Sequence, residues 1–228
     1  HNHLLCDTEG HSLGLFGQQF WGRDAQYFGT NRSLWSLEDK ESVRWLNHFE
    51  DFQIFFAQFP QHTAFEVCDR EADFYELFAA RRIDNVHLIV RSNKDKTLTN
   101  EEKLWETLDN EPFKEIHLAS IYNPKGKKVE MAFQIKFAPV KIPPNYRAKR
   151  DQPNECDPVQ LYGLVIEQVS PLMGWQKKPI KWRLLTTLPL LNSNQALQIL
   201  QYYTLRWRIE EFHYVMKQGP KIEQKQLK

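Results

Sequence analysis

Two stretches of this sequence hold residues whose types and spacing could act on a phosphate. The first is VCDREAD, Val67 to Asp73, where Asp69 follows the apolar run Thr63-Ala64-Phe65 and its continuation. A carboxylate held at the carboxyl end of a core strand is fixed well enough to ligate a metal ion, which a loop carboxylate is not. The second is YYTLRWRIEEFHYVMK, in which Tyr203, Arg206, Glu210 and Lys217 stand at offsets of 0, 3, 7 and 14. At roughly 100° per residue of helix these four fall within about 60° of one another. Leu205, Ile209, Phe212 and Met216 lie near the opposite side, so an amphipathic helix with a buried apolar face is expected.

A charged stripe opposite an apolar one is also the ordinary wet side of a surface helix, and Arg206 with Glu210 makes an i, i+4 pair worth only ~0.3 kcal/mol. The chemical reading therefore needs a second carboxylate from elsewhere in the chain. Asp69 can supply it. Its neighbours Arg70, Glu71 and Asp73 have a simpler use, since acids at the start of a following helix are favoured by the helix dipole.

The elements that must position these groups follow from periodicity. HNHLLCDTEGHSLGLF reads as two short strands around the turn Asp7-Thr8-Glu9-Gly10. A helix is expected from Ser36, where SLED has the spacing of a capping box, to Phe59, stopped by Pro60. The strand TAFEVC, a helix over Ala72 to Arg82 and the strand VHLIVRS then form a βαβ unit with parallel strands. From Lys94 to Lys181 the pattern changes to alternation, as in KVEMAFQIKF and LYGLVIEQV, with one short helical candidate, EEKLWETL. That block reads as an antiparallel β insertion. KWRLLTTLPL and a long helix from about Gln195 to Lys217, with Ser193 and Asn194 as cap candidates, complete the chain. Three segments result: 1–93, 94–181 and 182–228.

The 228 residues, 41% hydrophobic with seven tryptophans, suit an ordered globular protein. Three separated cysteines without a C-x-x-C pair suggest neither a disulfide framework nor a cysteine zinc site, and a cytoplasmic setting is the default. No apolar run reaches the roughly 18 to 20 residues that span a bilayer, so no membrane partner is expected. A net charge of +1 conceals segregation: residues 1–124 hold 21 acids against 12 bases, residues 125–150 eight bases against one acid, and residues 176–228 ten bases against three acids. Two basic segments of this kind fit a surface facing a polyanion, or else solvated lysine-rich loops.

Taken together, VCDREAD, the arginine of LIVRS, KWRLLTT and YTLRWRIEEFHYVMK resemble the DDE transposases of bacterial insertion sequences, in the IS-four branch that includes the Tn-five transposase. The branch carries a Y-x2-R-x3-E-x6-K signature, which Tyr203, Arg206, Glu210 and Lys217 satisfy, and the likeness runs from about Leu13 to Lys217. It implies an α/β fold with a ribonuclease-H-like core interrupted by a β-rich insertion. Asp69 and Glu210 become the second and third catalytic acids, holding two Mg2+ or Mn2+ ions, hard cations that prefer oxygen ligands. Tyr203, Arg206 and Lys217 become contacts to DNA phosphates, joined by Arg91. Trp182 matches a tryptophan that stacks on a flipped base; its plainer reading is a strand tryptophan in the core. The implied partners are double-stranded DNA, both transposon ends and target, and a second subunit in a synaptic homodimer. The implied setting is the bacterial cytoplasm.

The likeness departs at the first acid. Its strand would precede the opening hairpin, and Asp7 and Glu9 sit in a turn, away from a strand centre. The 228 residues alone are therefore expected to be inactive and to be a piece of a longer protein. Two other readings stay open, a ribonuclease-H-like nuclease that cuts without joining and a non-catalytic DNA-binding remnant. A two-carboxylate glycosidase is disfavoured by Arg206 and Lys217 beside Glu210, which suit a phosphate better than a neutral sugar. His213, with no second histidine at ligand spacing, is read as a helix-face residue.

Overall fold

The computed structural model describes residues 2–19, 42–113, 116–122, 128–151, 156–169 and 179–218. It opens with the expected hairpin, β1 (Asn2–Cys6) and β2 (Ser12–Gln18), antiparallel and forming its own two-stranded sheet. Gly10 closes the turn at φ +87, a conformation that glycine enters without steric cost. Asp7 serves this turn: its carboxylate accepts from the backbone N–H groups of Glu9 and His11 and from the His11 ring.

Helix α1 (Val43–Phe56) follows, with N-cap Ser42 making no side-chain cap bond. The expected start at Ser36 lies outside the described residues. Strands β3 (Ala64–Cys68) and β4 (Val86–Arg91) pair in parallel, as the βαβ pattern requires. The helix between them is shorter than Ala72 to Arg82: a 3-10 turn at Arg70–Ala72 precedes α2 (Tyr75–Ala79). The cause is Phe74, whose extended backbone interrupts the helix, together with Asp73, whose side chain turns away from α2.

After α3 (Leu104–Asn110) come β5 (Ile116–Tyr122), β6 (Lys128–Ile142), α4 (Tyr146–Asp151) and β7 (Val159–Gln168), then β8 (Lys181–Thr186). The β-rich block is antiparallel, and it extends the main sheet: the six-stranded order is β3-β4-β8-β7-β6-β5, with β8 inserted between β4 and β7. Pro139 is tolerated in β6 because β5 pairs only with residues 128–134, leaving Pro139 with β7 alone beside it.

Both faces of the sheet are covered. On one, Leu88, Val90, Leu161, Val165 and Leu185 pack with Phe49 and Phe52 of α1, Leu77 and Phe78 of α2, and Leu104 and Leu108 of α3. On the other, Ile89, Leu164, Ile166 and Leu184 pack with Ala196, Ile199, Leu200 and Tyr203. These last belong to α5 (Ser193–Leu205), capped by Asn192, whose side chain accepts from Gln195 N–H at 3.0 Å.

The long terminal helix is two helices. At the junction Arg206 N–H bonds Tyr203 O and Ile209 N–H bonds Arg206 O, three-residue spacings that tighten the turn before α6 (Trp207–Gln218) begins. Helix α6 buries no residue fully: Ile209, Phe212 and Met216, expected to form a buried face with Leu205, are half-buried, as is Leu205 at the end of α5. The reason is location. Helix α6 lies against the hairpin, where Asn2 donates to His213 Nε2 at 2.9 Å and the Arg208 guanidinium and Leu205 lie over Gly10. The architecture is thus a mixed α/β fold around a six-stranded mixed sheet.

Candidate functional site

Alternation along β3 decides which way Asp69 faces. Ala64, Glu66 and Cys68 point to the α1 side and are buried, whereas Phe65 and Val67 pack with the α5 side, Phe65 lying 4.8 Å from the Tyr202 ring. Asp69 continues the extended backbone (φ −84, ψ −163), so it joins Phe65 and Val67 on the α5 side. Its Oδ1 accepts the Glu71 N–H at 2.8 Å, which caps the 3-10 turn and fixes the half-exposed carboxylate. Phe65 pairs with His87 and Val67 with Ile89, and Arg91 is the next step of that register, beside Asp69. Arg91 pairs in turn with Leu184 of β8, and Trp182 follows two residues away on the same face.

A line of contacts leads from Trp182 to the terminal helices. The Trp182 ring stacks with Phe133 at 6.5 Å and meets Tyr203 edge-on at 5.2 Å. The Arg206 guanidinium lies 5.9 Å from the Tyr203 ring, and its Nη1 donates to Glu210 Oε1 at 3.2 Å. Arg206 is mostly buried while Glu210 stays 50% exposed. Tyr203 is only 3% exposed, and its hydroxyl is buried without a partner. It therefore acts as packing between Trp182 and Arg206, leaving Glu210 and the exposed Lys217, in the last turn of α6, as the groups of the stripe that reach outward. Among the described residues no hydrogen bond or ion pair joins Asp69 to Glu210. The sheet face on which Asp69 and Arg91 lie is the one covered by α5, the helix that runs into the Glu210 helix.

Where β4 and β8 meet, a cavity of about 180 Å3 is lined by Arg70, Arg91, Ser92, Asn93, Trp105, Lys181 and Arg183. Arg183 lies over the Trp105 ring at 4.7 Å and donates to Asp109 at 2.5 Å, and Lys181 lies 3.4 Å from Asp109 and 3.7 Å from Glu167. Arg70 and Arg91 make no ion pair among the described residues, so the pocket keeps a surplus of positive charge. The Trp105 indole N–H donates to Ser92 Oγ at 3.2 Å and holds the wall in place. No protein-family model matches the chain. Arg70, Trp105, Lys181 and Arg183 were not among the residues singled out by spacing. For Lys181 and Arg183 the signal was the alternation in KWR, which turns them to the face opposite Trp182, whereas Arg70 and Trp105 had none.

One more device holds the two strand ends together. Asp73, whose side chain has no exposed surface, accepts the Asn93 N–H at 2.6 Å and the Lys94 N–H at 3.4 Å and pairs with the Lys96 ammonium. The loop after Asp69 is thereby fastened to the loop after Arg91.

Asp69 and Glu210 offer only oxygen donors, partly accessible, the donor chemistry that Mg2+ and Mn2+ take. Among the described residues the one group of three metal-ligating side chains with ligand atoms within 4.8 Å of one another is elsewhere: His3, His48 and Glu66, on the α1 side of β3.

Proposed function

We propose that the chain is the catalytic core of a DNA transposase, a ribonuclease-H-like domain with a β-rich insertion that works on phosphodiesters at transposon ends. The observation that carries this reading is the side on which the groups meet: Asp69, Arg91 and Trp182 share one sheet face, and Trp182 continues through Tyr203 and Arg206 to Glu210. Carboxylates and guanidiniums together suit a phosphate bridged by hard cations, where a neutral sugar would leave the guanidiniums without use.

In this reading Asp69 and Glu210 hold two Mg2+ or Mn2+ ions, which when bound supply an activated oxygen nucleophile and stabilise the leaving oxygen. Arg206 orients the Glu210 carboxylate. Arg91 holds backbone phosphate on the Asp69 face, with Lys217 adding a cation along α6, whereas Lys181 and Arg183 stay on the opposite face with Asp109. Trp182 has its ring between Phe133 and Tyr203, so it supports the helix carrying Glu210 even where no base stacks on it. The outer edge of β3 has no ladder partner among the described residues, and a strand bearing a further acid would fit beside it. Synapsis of two DNA ends would require a homodimer.

The test is binding of a short duplex by fluorescence anisotropy, with and without Mg2+, for wild type, Asp69→Ala and Glu210→Ala. The expected result is tighter binding with Mg2+ that both substitutions abolish. Binding that depends on salt alone, unchanged by Mg2+ or by either substitution, would replace this reading with a DNA-binding remnant using the Arg70, Arg91, Lys181 and Arg183 pocket. Joining assayed apart from nicking separates transposase from nuclease. The 228 residues alone are expected to do neither, and Asp69-dependent cutting by them would overturn that expectation.

A further inference from the structure

The described residues contain a second, unrelated gathering of ligand atoms. His3 from β1, His48 from α1 and Glu66 from β3 converge on the sheet face opposite Asp69, and all three are buried or nearly so. His3 Nδ1 and His48 Nε2 each lie 3.5 Å from the same oxygen, Glu66 Oε1. Charge-assisted hydrogen bonds between such groups run to about 2.7–2.9 Å. A spacing of 3.5 Å instead approximates the edge of a tetrahedron with metal bonds of about 2.0–2.1 Å, for which geometry gives roughly 3.3–3.4 Å between ligands.

The two imidazoles stack within 19° of parallel, and their planes would splay to share one ion. Glu66 and the two histidines are buried together, and a metal takes such ligands as carboxylate and neutral imidazole. A divalent cation would offset the carboxylate charge in that buried setting. The surroundings are aromatic: Trp45 meets the His3 ring edge-on at 6.1 Å, and Phe16 meets the His48 ring edge-on at 5.4 Å. Gly17, which pairs with His3 across the hairpin, brings no side chain, and a Cβ there would stand 3.4 Å from His48 Nδ1. That is an ordinary contact distance, so the hairpin packs against the histidine at this point.

We propose that His3, His48 and Glu66 form a structural site for Zn2+, or a similar borderline divalent transition ion, that fastens the opening hairpin to α1 and β3. Two imidazoles and one carboxylate are a donor set that favours such ions over Mg2+ and Mn2+. Three protein ligands leave one tetrahedral position to water. The need for a fastening is visible in the sheet topology, because β1 and β2 form a separate sheet and share no ladder with β3. The site stands apart from the proposed DNA-cleaving function and does not depend on it.

The experiment is titration of chelator-stripped protein with Zn2+, read by competition with a chromophoric chelator, and with Co2+, read by the visible absorption of a tetrahedral complex. One ion per chain is expected. A hundredfold excess of Zn2+ over its Kd should raise Tm by about 5–10 °C. His3→Ala and His48→Ala should each weaken binding by more than the ~10–100-fold that loss of an outer-shell partner costs. Asp69→Ala and Glu210→Ala should leave Zn2+ binding unchanged, which keeps this outcome separate from that of the proposed catalytic site. His3 lies on the hairpin outside the main sheet, so His3→Gln, checked by circular dichroism, serves if His48→Ala fails to fold. Sub-stoichiometric binding, or stoichiometric binding that survives His3→Ala and His3→Gln, would overturn the proposal and leave a metal-free His–Glu–His contact.

Discussion

Asp73→Ala tests how the candidate site is held in shape. The Asp73 carboxylate, with no exposed side-chain surface, accepts a 2.6 Å bond from the Asn93 N–H and pairs with the Lys96 ammonium, itself 16% exposed on its side chain. Hydrogen bonds to charged groups contribute about 1.5–3 kcal/mol each, and removal of one partner from a buried pair costs about 3–5 kcal/mol because the other is left uncompensated. The expected loss is therefore about 4 kcal/mol, seen as a lower urea midpoint at unchanged m and a Tm lower by roughly 10 °C. Lys96→Met removes the stranded ammonium, so the double variant should be more stable than Asp73→Ala alone. The coupling energy in that cycle isolates the pair. DNA affinity should fall with Asp73→Ala even where the protein remains folded, since Arg91 stands just before the released loop. A loss under about 1 kcal/mol, or an equal loss with Lys96 already replaced, would refute the clamp.

Acid should destabilise the metal-free protein in two stages. Burial opposes the Glu66 charge, but the His3 and His48 rings beside it prevail and hold its carboxyl at about 2 rather than 4.5, which corresponds to about 3 kcal/mol of stability present above pH 4.5 and lost as pH falls toward 2. His3, held by burial below 6.5, adds a loss that starts as pH falls through 6.5, because the unfolded chain takes up the proton first. Urea melts in chelator across that range should show both stages, and Glu66→Gln should remove the lower one. Gly163→Ala should cost about 1–3 kcal/mol, since its Cβ would lie 2.7 Å from Leu108 Cδ2 in a fully buried site; calorimetry should show Leu108→Ala relieving part of the loss. Lys217→Ala should lower the salt slope of DNA binding by about one ion without changing stability.

The hairpin, the parallel pair and the β-rich block were legible in the sequence because each is local: alternation, a turn glycine and a strand-helix-strand order suffice. The position of β8 between β4 and β7 was not legible, since pairing Ile89 with Thr186 and Leu164 with Leu184 depends on shape across the whole chain. The four-residue stripe held one surprise. Tyr203 faces Trp182 and is buried because it continues the α5 face of Ala196, Ile199 and Leu200, whereas the rest of the stripe lies beyond a break at Arg206 that Leu-Arg-Trp, without proline or glycine, does not announce. Asp73 looked like a helix-start acid, and only the loop after β4 reveals its partners. His3, His48 and Glu66 follow no ligand spacing because they come from three separate elements.

The most informative segment is β3 itself, because it carries two carboxylates with opposite surroundings. Glu66 and Asp69 are three residues apart, so alternation sends them to opposite faces of one sheet. Glu66 faces imidazoles in a buried aromatic setting, whereas Asp69 is half-exposed beside Arg91 in the β3–β4 register. The first environment suits a borderline ion retained for structure, and the second suits hard ions that arrive with a phosphate. A strand slipped by one residue would exchange the two faces and place Asp69 under α1. The register of Phe65 with His87 and Val67 with Ile89 therefore fixes both sites at once. Zinc should then raise Tm and leave Mg2+-dependent DNA binding intact, while Asp69→Ala should do the reverse. If Glu66→Gln abolished Mg2+-dependent DNA binding, or Asp69→Ala abolished zinc binding, the two carboxylates would share one site and the division of β3 into two faces would fail.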